Sequence, residues 1–294
     1  MNKRQKLRSL LSGGPDIIVA PGAYDGATAN LIEAAGFPVV YMTGAGVSAA
    51  HGLPDYGLLT MTEMVAQAAM IARSVTIPTI ADADTGYGNE INVVRTVQHY
   101  EAAGVAALHI EDQVSPKRCG HLAGKEIISR DDFLSKIHAA VTARTDPDLV
   151  LIARTDARGV AGMDEALARA NAALEVGADM IFLEATTSQE EASAVPKLVN
   201  GPCLLNMVLG GKTPVLDTKV AQEMGYRLAI QPVLLLSTFT VRGREALEVL
   251  KTTGKHPMVP GGLSIEDLFR GFGSEYWDHL RTDVLGADKI APAA

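Results

Sequence analysis

The sequence predicts an eight-stranded α/β barrel, a closed ring of parallel strands alternating with helices. Three observations predict it. Eight short apolar runs recur along the chain, segments of helical period separate them, and nearly every run keeps its polar residues for its C-terminal end. Near-continuous apolar strands alternating with helices mark a parallel sheet, and eight such units suggest closure into a barrel. An open doubly wound sheet is the competing architecture. Its dinucleotide fingerprint is absent, because "PGAYDGATA" after the first run lacks the glycine spacing.

In chain order the runs are "DIIVAPG" (16–22), "VVYMTGA" (39–45), "TIADADT" (79–85), "ALHIEDQ" (107–113), "LVLIART" (149–155), "MIFLEAT" (180–186), "PCLLNMV" (202–208) and "RLAIQPV" (227–233). Between them "TANLIEAAG", "MTEMVAQAAMIARSV", "VVRTVQHYEAAG" and "MDEALARANAALEVG" have helical spacing, and several end in glycine as helix C-caps do. Two connections, 44–60 and 114–130, exceed a simple strand-to-helix turn and read as candidate lids. Residues 1–250 form the expected barrel. Residues 251–294 read as a helical extension of the same domain, with "SIEDLFRGFGSEYWDHL" carrying the only Trp and "GADKIAPAA" expected to fray. That extension caps the barrel bottom or docks on a neighbouring subunit.

Composition narrows the function. With 47% hydrophobic residues among 294, the chain can bury a large core. A net charge of −8 without a Lys/Arg run argues against nucleic-acid or anionic-membrane partners. Two cysteines cannot build a disulfide framework, and Cys203 in "PCLLNMV" reads as buried. The N-terminal "MNKRQKLRSLLSGG" has an apolar part too short for a signal-peptide core, and no apolar run approaches the roughly 18 residues of a membrane helix. A soluble cytoplasmic protein is the expectation.

The polar strand ends carry the chemistry. In a barrel they share one face, where active sites lie. Asp82 and Asp84, two apart, point to the same side. Paired carboxylates raise each other's pKa unless a cation sits between them. Mg²⁺, with Mn²⁺ as the substitute, suits them, and Glu111 on the next strand could join through water. The other reading is a solvated strand end. Arg154 either forks onto a substrate carboxylate or pairs with Asp156 or Glu184. "TGAG" (43–46) offers backbone N–H groups to an oxyanion. Cys119 lies in "SPKRCGHLAGK", where Lys117, Arg118 and His121 would favour its thiolate. Gly120 and Gly124 permit hinge motion, so an acid/base or nucleophilic thiol on a closing loop is one reading and an incidental cysteine the other. His51, His99 and His138 lack such company.

Together "VYMTGAGVSAAHGLPDYG", "DADTGYGN", "LHIEDQVSPKRCGH", "ARTDA", "FLEA" and "NMVLGGKTP" resemble the isocitrate lyase/phosphoenolpyruvate mutase superfamily over about residues 15–240. The "KRCGH" segment resembles its carbon–carbon lyase branch. The resemblance implies an α/β barrel, Mg²⁺, and homotetramers whose C-terminal helix is exchanged between subunits, so a dimer of helix-swapped dimers. It implies that Asp84 binds the metal directly, with Asp82 and Glu111 acting largely through water. Thr43, Gly44 and Ala45 then hold a keto-acid carboxylate with help from Arg154. Asp55, His109, Glu184 and Asn206 shape the site, with Gly120 and His121 beside the substrate, and Tyr41 lies by the hydroxyl being deprotonated. Cys119 is the proton donor. The implied reaction is Mg²⁺-dependent cleavage of a substituted malate, 2,3-dimethylmalate- or 2-methylisocitrate-like, to pyruvate or another 2-keto acid plus a carboxylate. Oxaloacetate hydrolysis or decarboxylation, carboxyphosphonoenolpyruvate rearrangement and a non-catalytic acid-binding barrel are the alternatives. Two positions depart from the family: Leu209 replaces a common Glu, and Ser237 stands where tricarboxylate-cleaving members place an Arg. Both are expected at the distal end of the substrate, favouring an alkyl group there.

Overall fold

The computed structural model describes residues 1–14, 16–214, 216–258 and 262–285. The expected fraying of "GADKIAPAA" lies outside the described residues. Eight parallel strands close in sequence order: β1 Ile18–Ala23, β2 Val40–Met42, β3 Thr79–Asp82, β4 Ala107–Glu111, β5 Val150–Thr155, β6 Met180–Leu183, β7 Cys203–Asn206 and β8 Leu228–Gln231. β8 pairs back to β1 from Ile18↔Leu228 to Pro21↔Gln231. The helices are α1 Lys3–Ser12, α2 Gly26–Ala34, α3 Gly44–Ala50, α4 Met61–Ser74, α5 Glu90–Ala102, α6 Arg130–Ala143, α7 Arg158–Ala161, α8 Met163–Glu175, α9 Gln189–Leu198, α10 Thr218–Met224, α11 Leu234–Thr253, α12 Ile265–Arg270 and α13 Ser274–Leu285.

Strand alternation sorts the core into two shells. Val39, Tyr41, Ile80, Val150, Ile152, Met180, Phe182, Leu204, Leu228 and Ile230 fill the barrel. Their alternates, such as Val40, Met42, Ala81, Leu108, Leu151, Ala153, Ile181, Leu205 and Ala229, pack against the helices. Side chains two apart share a face, so the inward set continues at each strand's C-terminal end into His109, Glu111, Arg154, Glu184 and Asn206. The barrel's own core pattern therefore aims these polar residues at one mouth.

The basic N-terminus becomes a helix with a structural task. Asn2 and Gln5 form a capping box for α1. Leu7 joins the inner shell, fully buried. Arg4 and Arg8 tie α1 to Asp146 and Asp179, each at 2.7 Å. Elsewhere local chemistry starts the helices as well: Asp25 with Thr28, Thr60 with Glu63 and Asn89 with Asn92 form capping boxes for α2, α4 and α5.

The chain divides into two compact units, 1–238 and 239–294. In the second, Arg270 links α12 to α13 through Glu266, Asp267 and Glu275 at 2.7–2.9 Å. Tyr276 and Trp277 meet edge to face, with centroids 5.4 Å apart. Phe239, Leu247, Ile265, Phe269 and Trp277 are all exposed. No described helix is long and apolar enough to cross a membrane.

Two boundaries differ from the sequence expectation. The third strand ends at Asp82 rather than 85, and Asp84 sits in the following turn with φ 46°. Residues 44–50, expected within a long loop, form α3 because Thr43 caps it, its Oγ accepting from Gly46 N at 3.3 Å.

Candidate active site

The strand ends enclose a cavity lined by Tyr41, Thr43, Ala45, Asp55, Asp82, Cys119, Gly120, His121, Arg154, Glu184, Asn206, Val208, Pro232 and Val233. Eleven of the seventeen site residues expected from sequence stand among them. Asp84 and Glu111 are buried beside it rather than lining it. His109 lies one layer below. Its Nε2 is 2.9 Å from the Tyr41 hydroxyl, and its ring meets the edge of Phe182. It contacts Tyr41 and does not line this cavity. Gly44 also stands back from the cavity: its N–H donates to Asp82 Oδ2 at 3.3 Å, and a side chain there would strike that carboxylate. The notion of four bare amides at 43–46 therefore needs correction. Thr43 N donates to Ala23 O and Gly46 N to Thr43 Oγ, so Ala45 carries the amide that these bonds leave to a bound anion.

The two departures from the family lie elsewhere than expected. Leu209 precedes Gly210 (φ 78°) in the turn after β7 and is 83% exposed. Ser237 is exposed on the first turn of α11, its hydroxyl donating to Leu234 O at 3.1 Å. Neither lines the cavity. The apolar wall comes from Ala45, Val208, Pro232 and Val233 instead, because the turn rotates Leu209 away while Val208 points inward.

The acidic corner has unsatisfied oxygens. Neither Glu111 oxygen accepts a hydrogen bond, although Arg154 Nε approaches Oε2 to 3.1 Å. Burial raises Glu111 well above the usual carboxylate range. Burial also raises Asp84 to about 6, against the pull of Lys117. Burial opposes ionisation of Asp82 too, but His109, Lys117 and Arg154 hold it below its ordinary value. Two buried carboxylates with orphaned oxygens, Asp84 and Glu111, beside buried Asp82, fit a hard cation with oxygen ligands. Among the described residues no group of three His, Cys, Asp or Glu side chains is placed to hold a metal ion by itself.

The sequence reading overlooked how Lys117 is spent. It is buried between Asp55, to which it donates a hydrogen bond, and Asp84 at 2.9 Å. Burial opposes its charge, but Asp84 and Asp55 hold it protonated. Arg118 instead stacks over Tyr56, 5.6 Å from the ring centroid. Burial pushes the His121 imidazole down, away from its charged form. The expectation that these three cations favour a Cys119 thiolate is thus overturned. Burial, and then Asp55, push the Cys119 thiol above the ordinary 9.0. The residue is held as a thiol.

Arg154 fulfils the ion-pair reading while still facing the cavity. Its Nε donates to Asp156 Oδ2 at 3.0 Å, and Nη2 stands 3.6 Å from Glu184 Oε2. Asn206 Nδ2 donates to the same Glu184 oxygen at 2.9 Å. Gly120 presses onto this pair so closely that a Cβ would meet Arg154 Nη2 and Glu184 Cγ at 2.6 Å. The Cys119 loop is drawn down, with Cys119 N donating to Asp55 O at 3.1 Å and His121 Nδ1 accepting from Lys212 N at 3.0 Å. The enclosed volume is about 50 Å³, far below the roughly 300 Å³ at which small-molecule sites begin. The cavity walls, the Cys119 loop among them, must therefore shift for a substrate to be held.

Residues 7–250 match the phosphoenolpyruvate phosphomutase family. The chain belongs to that family. This agrees with the superfamily resemblance carried by the sequence motifs. The 2,3-dimethylmalate lyase of Eubacterium barkeri is 52% identical over 99% of this chain and 96% of its own length. A crystal structure of 2,3-dimethylmalate lyase superposes with a TM-score of 0.94 at 43% identity, covering 100% of this chain and 99% of its own. Oxaloacetate acetylhydrolase bound to 3,3-difluorooxalacetate gives 0.93 at 40% identity, covering 99% and 98%. Enzymes of this superfamily generally depend on a divalent metal. Val208, Pro232 and Val233 also line the cavity, and Lys117, Lys125 and Asp156 bond to lining residues Asp55, Gly120 and Arg154; sequence reasoning did not select these six as site residues. Inward parity beyond each strand end would have found Asp156, but the loop residues needed the fold.

Proposed function

We propose that the chain is a carbon–carbon lyase that splits a substituted malate-type 2-hydroxy diacid, of which 2,3-dimethylmalate is the nearest example, into a 2-keto acid and a carboxylate. The observation that carries this reading is a cysteine held as a thiol on a loop over the cavity, facing Arg154 and the buried carboxylates. The 52% identity to 2,3-dimethylmalate lyase supports it. The wall of Ala45, Val208, Pro232 and Val233 offers no cation to a further carboxylate. It can bury an alkyl group for about 0.8 kcal/mol per methylene.

The substrate's 2-hydroxyl and its neighbouring carboxylate lie at the acidic corner, the carboxylate against the Ala45 amide and Arg154. As the hydroxyl proton leaves, the C2–C3 bond breaks and its electron pair passes to C3, delocalised into the carboxylate there. Tyr41, kept un-ionised first by burial and then by Asp82, sits between the cavity and neutral His109 and takes up the departing proton as its own moves towards Nε2. Cys119 gives its S–H proton to C3, and the lowered loop keeps water out. The cycle closes without net change in protons when the Tyr41–His109 pair gives up the hydroxyl proton and the Cys119 thiolate takes one up from water as the loop reopens. Asp82, Asp84 and Glu111 would hold a Mg²⁺ or Mn²⁺ ion, which would supply positive charge to the oxyanion that develops during cleavage.

A product screen by mass spectrometry over 2-alkylmalates, 2-methylisocitrate and oxaloacetate tests the reading. Pyruvate should form from 2,3-dimethylmalate, at least tenfold faster in kcat/KM than from 2-methylisocitrate, and excess chelator should stop it. Oxalate from oxaloacetate as the main product would replace the lyase by a hydrolase. We further place the chain in the cytoplasm, in keeping with its two free cysteines, as a homotetramer with exchanged C-terminal helices. The exposed Phe269 and Trp277 support that assembly.

A further inference from the structure

We propose that Lys125 is a positioning residue for the reaction: its ammonium catches the lowered Cys119 loop and ties it to the carboxylate that aims Arg154. The inference deepens the lyase reading, on which the role of Cys119 rests. Lys125 Nζ donates to Gly120 O at 2.5 Å and to Asp156 Oδ1 at 2.6 Å, with the side chain 2% exposed. A buried ammonium persists only when it is paired and hydrogen-bonded. Here one bond goes to the moving part of the loop and the other to the barrel floor.

The two partners sit on opposite sides of the chemistry. Asp156 Oδ2 accepts from Arg154 Nε at 3.0 Å, and its own N–H is fixed to Asp112 Oδ1 at 2.8 Å. Gly120 follows the thiol residue and rests on the Arg154–Glu184 pair. Lys125 itself belongs to the stem of the loop. There Gln113 bridges Ile127, Val114 N donates to Glu126 O and Ile128 N donates to Asp112 O, the last two at 2.9 Å. When the tip lifts to admit substrate, the stem keeps Lys125 on Asp156, and the Gly120 carbonyl is the partner that departs. The Lys125–Gly120 bond therefore exists only in the closed state. It biases the loop towards closure, and a bias of this kind is what shifts a two-state population.

Removing the ammonium should populate the open loop and expose Cys119. Lys125→Met and Lys125→Arg are prepared in the full-length chain, and iodoacetamide labelling of each cysteine is followed by mass spectrometry without substrate. Lys125→Met should label at Cys119 at least tenfold faster than the parent, with buried Cys203 unchanged. Lys125→Arg, which keeps a cation able to bridge the two oxygens, should stay within threefold of the parent. In turnover, Lys125→Met should lose at least tenfold in kcat while KM moves less. Labelling of Cys119 at the parental rate overturns the catch, and so does equal acceleration at Cys119 and Cys203, which signals a loosened fold. Because the labelling needs no substrate, a failed catch is distinct from a failed lyase assignment.

Discussion

A thiol that delivers a proton to carbon must keep that proton until the carbon needs it. Cys119 meets this condition through burial and the nearby Asp55, not through the cations beside it in sequence. Sequence spacing made Cys119 conspicuous, but neighbours in sequence were a poor guide to its electrostatics, because the loop spends Lys117 on Asp55 and Asp84 and turns Arg118 onto Tyr56. Cys119→Ser keeps the shape and removes the stronger acid. Turnover should fall by roughly 10²–10⁴, the range for lost acid catalysis, with KM little changed. The sign of the pH dependence follows from the raised thiol pKa: the proton is present below it and lost above it. The basic limb of kcat should therefore lie above the ordinary cysteine value of 9.0. A limb near pH 8 that vanishes in the serine variant would contradict that environment.

Strand alternation explains why most of the site was legible at the level of elements. The parity that buries Ile80, Val150, Ile152, Phe182 and Leu204 in the barrel also turns Asp82, Arg154, Glu184 and Asn206 to its mouth. Where chain direction changes beyond a strand, parity fails, as it did for Asp84 in its left-handed turn, whereas at β7 it holds, with Asn206 and Val208 inward and Leu209 outward, against the position the family resemblance implied. The β8 end depends on close approach to β1. A Cβ at Gly22 would meet Pro232 O at 2.2 Å. Gly22→Ala should cost about 1–3 kcal/mol as overpacking and raise KM, since Pro232 and Val233 line the cavity. Thermal unfolding with steady-state kinetics checks both. Asp156 joins the β5 end to the loop, and Arg154 with Lys125 outweighs burial to lower its carboxyl to about 2. A depressed carboxylate contributes stability above its unfolded value near 4 and loses it as pH falls through about 2. Asp156→Asn should lower Tm at pH 7, with the gap from the parent closing between about pH 4 and pH 2 in calorimetry. A gap independent of pH would rule out the ion-pair account.

At the scale of the whole molecule, the net charge of −8 repels an anionic substrate, so binding must come from local groups such as the Ala45 amide, Arg154 and the proposed metal. The apolar residues of 239–294 make a second demand. Phe269 and Trp277 are 56% and 65% exposed, and large exposed apolar surface marks a contact surface. The Phe269→Glu/Trp277→Glu double variant should sediment as a species smaller than the parent, and an unchanged sedimentation coefficient would remove these residues from the proposed interface. On the proposed mechanism this chain breaks a carbon–carbon bond and protonates the released carbon from Cys119. Turnover of 2,3-dimethylmalate in D₂O, with the products read by NMR, tests it most directly. The predicted result is pyruvate and propionate in equal amounts, the propionate carrying one deuterium at C2 in a single configuration. Racemic labelling, or no propionate at all, would contradict it.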